Sequence, residues 1–262
     1  MTSDAPASSP PAGRGTDPAN RLIVALDFPA ASSAMDLIDR LDGLCHWFKV
    51  GMELYYAAGN SIVERLRERG FSVFLDLKLH DIPNTVASAV RSVASMGASL
   101  LTLHASGGEK MMRAAAEAAA SVPDAPRLLA VTVLTSMDSA GLRAIGVCGD
   151  GNTLSGGAGE QSFAETQVLR LAQLARTAGI DGLVCSAEEV PAIRKMLGST
   201  PLLVVPGIRP AASEAADQSR IATPADAIAR GASMLVVGRP ITRAPDPRNA
   251  AAAILKEIAA AG

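Results

Sequence analysis

The segment FLDLKLHDIPNTV, residues 74–86, places Asp76, Lys78, His80 and Asp81 within six positions of a run that otherwise reads as a buried strand. Carboxylates flanking an ammonium are groups that can stabilise charge at a reacting carbon or deliver a proton to it. Period-two alternation sends Asp76 and Lys78 to one face and Leu75, Leu77 and Leu79 to the other. An isolated buried charge is expensive, so the two must neutralise each other, with Lys49 and a further carboxylate as expected partners. On these residues alone two readings stand, a catalytic cation held among anions or a structural ion pair plugging a core. The next residues have a local role as well: Pro83 presets a first helical turn, Asn84 or Thr85 can satisfy free amides, and Asp81 favours the positive helix end. That role leaves Lys78 unexplained.

The elements that must position these groups alternate in type. Short aliphatic runs at 21–27, 46–51, 72–78, 99–104, 127–135, 181–186, 202–207 and 233–239 read as strands, and segments such as 53–69, 83–96 and 161–178 carry apolar residues at helical spacing. Nearly continuous apolar strands imply burial on both faces, as in parallel sheets with helices outside. About eight such units in about 240 residues predict an α/β fold, a single-domain (β/α)8 TIM barrel over residues 21–262, in preference to an open doubly wound sheet. Residues 1–20 are mostly Pro, Ala, Ser and Gly with no large aliphatic beyond Met1, and are expected to be a disordered tail. The interval 136–160 is irregular, and its Gly-rich end reads as a flexible loop.

Composition narrows the function. The 262 residues are 48% hydrophobic with a formal net charge of -2, so no global field recruits nucleic acid or an anionic membrane, and any anion site must be local. No apolar run reaches the roughly 20 residues of a membrane helix, and the N-terminus lacks the order of a signal peptide. A cytoplasmic location is expected. Cys45, Cys148 and Cys185 are scattered and read as reduced core thiols. His46, His80 and His104 lack helical ligand spacing, so no metal is expected, and His80 and His104 read as packing or supporting groups.

In such a barrel the loops after the strands' C-terminal ends build the active site. Polar residues gather there: Asp27 closing the first strand, Lys49 on the second, Asp76 and Lys78 on the third, His104 on the fourth, Thr135 on the fifth, Arg209 after the seventh and Arg239 on the eighth. The Gly-Arg-Pro at 238–240 offers unobstructed amides and a guanidinium fork where barrels of this kind often hold phosphate.

With these residues assembled, the chain resembles the orotidine 5'-phosphate decarboxylases over about residues 21–250. The motifs VALDFP, FKVGMELYY, FLDLKLHDIPNTV, LTLHASGG, VTVLTSM, VPGIRP and VVGRPIT occur in the family's order. The resemblance implies decarboxylation of orotidine 5'-phosphate to uridine 5'-phosphate without a cofactor. It implies Asp27 and Lys49 at the ribose, with Lys49 also part of the charged network. The resemblance likewise implies Asp76 and Lys78 as the catalytic centre, joined by Asp81 from the neighbouring subunit of a homodimer, with Thr85 reaching the partner's ribose. Thr135 matches the pyrimidine contact, with Ser136 beside it as a substitute. Arg209, Gln218, Gly238 and Arg239 match the phosphate group, with the segment from Arg209 to Gln218 as a lid. Two rivals remain: a related metal-dependent sugar-phosphate decarboxylase or aldolase, whose acidic ligand is replaced here by Lys49, and a noncatalytic sensor of a phosphate ligand.

Overall fold

The computed structural model of the protein describes residues 17–147, 163–210 and 222–262. Eight parallel strands close into a barrel in chain order: β1 (Leu22–Ala25), β2 (Trp47–Gly51), β3 (Ser72–Leu79), β4 (Leu100–His104), β5 (Arg127–Val131), β6 (Gly182–Val184), β7 (Leu202–Val205) and β8 (Met234–Val237). Around them run α1 (Ala31–Arg40), α2 (Met52–Ala58), α3 (Asn60–Glu68), α4 (Pro83–Ala94), α5 (Gly108–Ala120), α6 (Ser139–Ala144), α7 (Phe163–Thr177), α8 (Val190–Leu197), α9 (Pro224–Ala229), α10 (Arg239–Thr242) and α11 (Pro247–Ala261). The ring closes through β1 and β8, with Leu22 opposite Leu235 and Val24 opposite Val237.

Because strand side chains alternate, each strand feeds two cores. One set, including Leu22, Val24, Phe48, Val50, Leu101 and Leu203, packs outward against the helices. The other, Ile23, Trp47, Phe74, Leu100, Leu129, Leu202 and Met234 among them, fills the barrel's interior. Two residues further along the same strands the interior set becomes Lys49, Asp76 and Thr102.

The eight expected strands are all present, with differences at their ends. The fifth stops at Val131, not at 135, so Thr135 stands four residues beyond it on the loop. The amphipathic run 53–69 is two helices, α2 and α3, because Gly59 at φ 62 adopts a left-handed conformation that turns the chain between them. The irregular interval opens with α6, which Asp138 caps by accepting from the Gly141 amide at 2.8 Å. A single 3-10 turn, Pro18–Asn20, capped by Asp17, precedes β1 inside the stretch expected to be tail. Burial of Ala19 and packing against α11 give it the contacts that composition alone does not suggest. Residues 1–16, Cys148 and the Gly-rich stretch near 150 lie outside the described residues.

Candidate active site

At the strands' C-terminal end, four charges alternate in sign across three strands. Lys49 Nζ donates to Asp27 Oδ1 at 2.9 Å and lies 3.7 Å from Asp76 Oδ2, and Lys78 Nζ donates to Asp76 Oδ1 at 2.8 Å. Side-chain exposure falls from 59% at Asp27 to 13% at Asp76, so the middle of the chain is where water can least screen the charges. Burial alone would drive the Asp76 carboxyl towards its neutral form. Lys49, Lys78 and hydrogen bonds from Lys78 and Thr102 together outweigh it and hold the carboxyl below its ordinary value. Asp76 is therefore an anion with a lysine on each side, and its Oδ1 fixes where Lys78 Nζ points. Gly51, opposite Asp76 on β2, leaves room for this arrangement, since a Cβ there would come within 2.9 Å of Lys49 Nζ and 3.3 Å of Asp27 Oδ1.

Lys78 reaches its place by an irregularity that alternation does not predict. Leu75 pairs with Leu101 and Leu79 with Leu103, so four steps of β3 run beside two of β4. The slack is a bulge in which Lys78 has φ 50, a left-handed backbone that costs a non-glycine residue about 1–2 kcal/mol. Leu77 and Leu79 still pack on the outer core, as expected. Strain of this kind is kept where the surroundings over-determine it. Here the Lys78 amide donates to Thr102 Oγ1 at 2.9 Å.

Two adjoining cavities open beside the charges. The first, about 180 Å³, has Lys49, Asp76, Lys78 and Thr135 on its polar side and Phe74, Val131, Val184 and Val236 on its apolar side. The second, about 240 Å³, is lined by Asp27, Lys49, Arg209, Gly238 and Arg239. Lys49, Pro206 and Val236 border both, so the two form one cleft with an ammonium at one end and two guanidinium residues at the other. A larger cavity of about 350 Å³, beside Arg127, Arg176 and Asp181, lies at the opposite end of the barrel from this network.

Most of the sequence-predicted residues converge on the cleft. Asp27, Lys49, Asp76, Lys78, Thr135, Arg209, Gly238 and Arg239 all line it. Ser136 is exposed and is not among the lining residues, which separates it from Thr135. Asp81 and Thr85 are exposed at the start of α4, Asp81 Oδ1 accepts from the Ile82 amide at 2.7 Å, and among the described residues no ion pair joins Asp81 to Lys78. Gln218, with most of the expected lid, lies outside the described residues. The base of that segment is pinned, because Ile208 bridges Ala222 and the Arg209 amide donates to the Ala222 carbonyl at 3.0 Å.

The His80 and His104 rings stand 5.6 Å apart beside Lys78. Burial, then His80, then Lys78 lower the His104 pKa, against the pull of Asp76. Cys45 and Cys185 are buried free thiols, and burial first of all pushes Cys45 up to about 12 and Cys185 up as well. Cys185 borders the apolar cavity as a protonated, unreactive group. Sequence reasoning missed Thr102 and Gly51. Their only signal is phase, since both fall on the inward positions of their strands.

The model of the orotidine 5'-phosphate decarboxylase / HUMPS family matches residues 20–254. The chain belongs to that family. It is 50% identical over 239 residues to the orotidine 5'-phosphate decarboxylase of Nitrosococcus oceani, covering 91% of this chain and 97% of that protein. It is 53% identical over 242 residues to that of Halorhodospira halophila, with 92% and 97% covered. Among solved structures, the orotidine 5'-phosphate decarboxylase of Lactobacillus acidophilus superposes with a TM-score of 0.76 at 39% identity, covering 91% of this chain and 98% of the other. Membership in this family accords with the closed barrel and with the cleft at the strands' C-terminal ends. No helix among the described residues is long and apolar enough to cross a membrane.

Proposed function

We propose that the protein decarboxylates orotidine 5'-phosphate to uridine 5'-phosphate without a cofactor, at the cleft between Lys78 and Arg239. The observation that carries this reading is the alternating chain Asp27, Lys49, Asp76, Lys78, with an ammonium at the wall of an apolar cavity. The relatives' names support it. When the bond from C6 to the carboxyl carbon breaks, its electron pair stays at C6 in an orbital that the ring's π system cannot delocalise, and CO2 leaves. The Lys78 ammonium stabilises that pair and then transfers a proton to C6, and neutral Lys78 regains a proton from water. Asp76 holds the ammonium in its charged form until that transfer. A metal ion placed among Asp27 and Asp76 would meet the Lys49 ammonium, which favours this reaction over a metal-dependent one on a sugar phosphate.

Arg209, Gly238 and Arg239 grip the phosphate and Asp27 the ribose. Thr135 contacts the base, and Gln218 joins the phosphate group. Binding energy from the distant phosphate offsets the desolvation that a closed site requires.

The active form is a homodimer in which Asp81 and Thr85 complete the partner's site. Two observations support this: Asp81 and Thr85 are exposed and do not line their own chain's cleft, and Met52, Tyr56 and Ile82 expose large apolar surface after β2 and β3. The test is the ultraviolet loss of orotidine 5'-phosphate. Wild type is expected to turn it over, and Lys78→Ala to lose at least a thousandfold in kcat while still folding. Mixing Lys78→Ala with Asp81→Ala subunits, each inactive alone, is expected to restore activity through hybrid dimers with one intact site. A wild type that binds the nucleotide without consuming it would make the protein a sensor, and mixtures that stay inactive would remove the shared site.

A further inference from the structure

Thr102 sits on β4 with no exposed surface, in the middle of the stretch beside which β3 bulges. Its hydroxyl makes two contacts of 2.9 Å, one to Asp76 Oδ1 and one with the Lys78 amide. Chemistry fixes the direction of both. A backbone N–H can only donate, so the oxygen accepts from Lys78. An ionised carboxylate can only accept, so the hydroxyl hydrogen points to Asp76. One group thus ties the backbone of the ammonium-bearing residue to the carboxylate that aims that ammonium. The bulge takes the Lys78 amide out of the regular β3–β4 ladder, and Thr102 supplies its acceptor.

We propose that Thr102 is a positioning residue for the decarboxylation, holding Lys78 in its left-handed conformation and Asp76 in register beneath it. The inference rests on the functional reading above. A valine here would fill the same volume and keep the packing, but would leave the Lys78 amide without this acceptor and Asp76 without this donor. Around Asp76, Lys49 faces it from β2 with Asp27 from β1 behind, Lys78 from β3, and His104 from β4 with His80 at its side. Among these, the Thr102 hydrogen bond is one of the contacts that hold the carboxyl ionised. Its removal moves the protonation of Asp76 to higher pH.

The experiment compares wild type, Thr102→Val and Thr102→Ser for kcat, KM and the pH dependence of kcat. In Thr102→Val, kcat is expected to fall about ten- to a hundredfold, the loss of one hydrogen bond to a charged group, with KM changed by less than about threefold. The acid limb of its profile moves up in pH. Thr102→Ser, which keeps the hydroxyl and drops the methyl, recovers most of both. Thr102→Ala is a second hydroxyl-free variant should the valine protein not fold.

Unchanged kcat and acid limb in Thr102→Val overturn the proposal, as does a serine variant as impaired as the valine one, which would assign the effect to methyl packing. A carbon-13 titration of the Asp76 carboxyl in the substrate-free protein separates this inference from the reading of function. Even if wild type does not turn over orotidine 5'-phosphate, a raised midpoint in Thr102→Val supports the bridge, and an unchanged midpoint removes it.

Discussion

The two halves of the barrel's interior are built from the same strands and do opposite things. On β2, β3 and β4 the lower positions are Trp47, Phe74 and Leu100, and two residues on, facing the same way, come Lys49, Asp76 and Thr102. Below, apolar side chains exclude water and supply stability in proportion to the area they bury. Above, charges are held near an apolar floor, where each ion loses hydration and regains it only from its neighbours. The contrast teaches that the lower plug supports the charged network without touching it. It denies water to the network from beneath, so that the attraction between Lys78 and Asp76 is felt at low dielectric. The bulge at Lys78 belongs to the upper half alone, where strain is tolerated because the lower half is regular.

This division can be broken experimentally. The largest effect is expected in the plug: Trp47→Ala should lower stability by about 3–5 kcal/mol in a urea titration, with kcat of the folded fraction changed by only a few-fold. Trp47→Phe should cost much less, because the Trp47 indole N–H has no acceptor to lose among the described residues. If Trp47→Ala, still folded, is as inactive as Lys78→Ala, the halves are not separable in this way.

A middle-sized effect is expected at Gly51→Ala, whose new Cβ would displace the Lys49 ammonium. The expectation is roughly a tenfold loss in kcat/KM with a nearly unchanged melting temperature. A variant that keeps full activity would show that Lys49 can shift without consequence.

The smallest effect is a pH dependence. The His104 pKa is lowered in the folded protein, so between that value and the ordinary one of about 6.5 the unfolded chain binds more protons. Stability therefore rises with pH across that window and falls as the solution is acidified through it. His104→Asn should flatten this slope, as read by denaturant titrations at several pH values. An unchanged slope would place the titration elsewhere.

What could be read in advance follows the same division. The plug and the outer core were legible because both faces of each strand are apolar, which leaves a continuous run such as LIVA at 22–25. The charged rim was legible because polar residues gather at the C-terminal ends of one strand after another, from Asp27 to Arg239. The bulge was not, since it depends on how β3 pairs with β4 and Lys78 carries no glycine to announce it. Thr102 was hidden for a related reason, as a threonine is ordinary in a strand and only three-dimensional contact reveals its two hydrogen bonds. The fifth strand was drawn four residues too long because VTVLT keeps its β-branched character after pairing has ceased. Asp81 and Thr85 were expected at a site only through resemblance, since neither lines the cleft of its own chain.

The pairing of β1 with β8 carries a consequence for how the molecule is made. Leu22 and Leu235 meet from opposite ends of the chain, more than two hundred residues apart, and closure over so long a contour is slow. Asp27 follows the first of these strands, and Gly238 and Arg239 the second, so both sides of the guanidinium end of the cleft come together only when the ring seals. A chain lacking its last strand has the lysines but not Gly238 and Arg239. On the proposed function, nucleotide recognition belongs to the finished barrel, and a phosphate held at that seam would brace the pairing of β1 with β8.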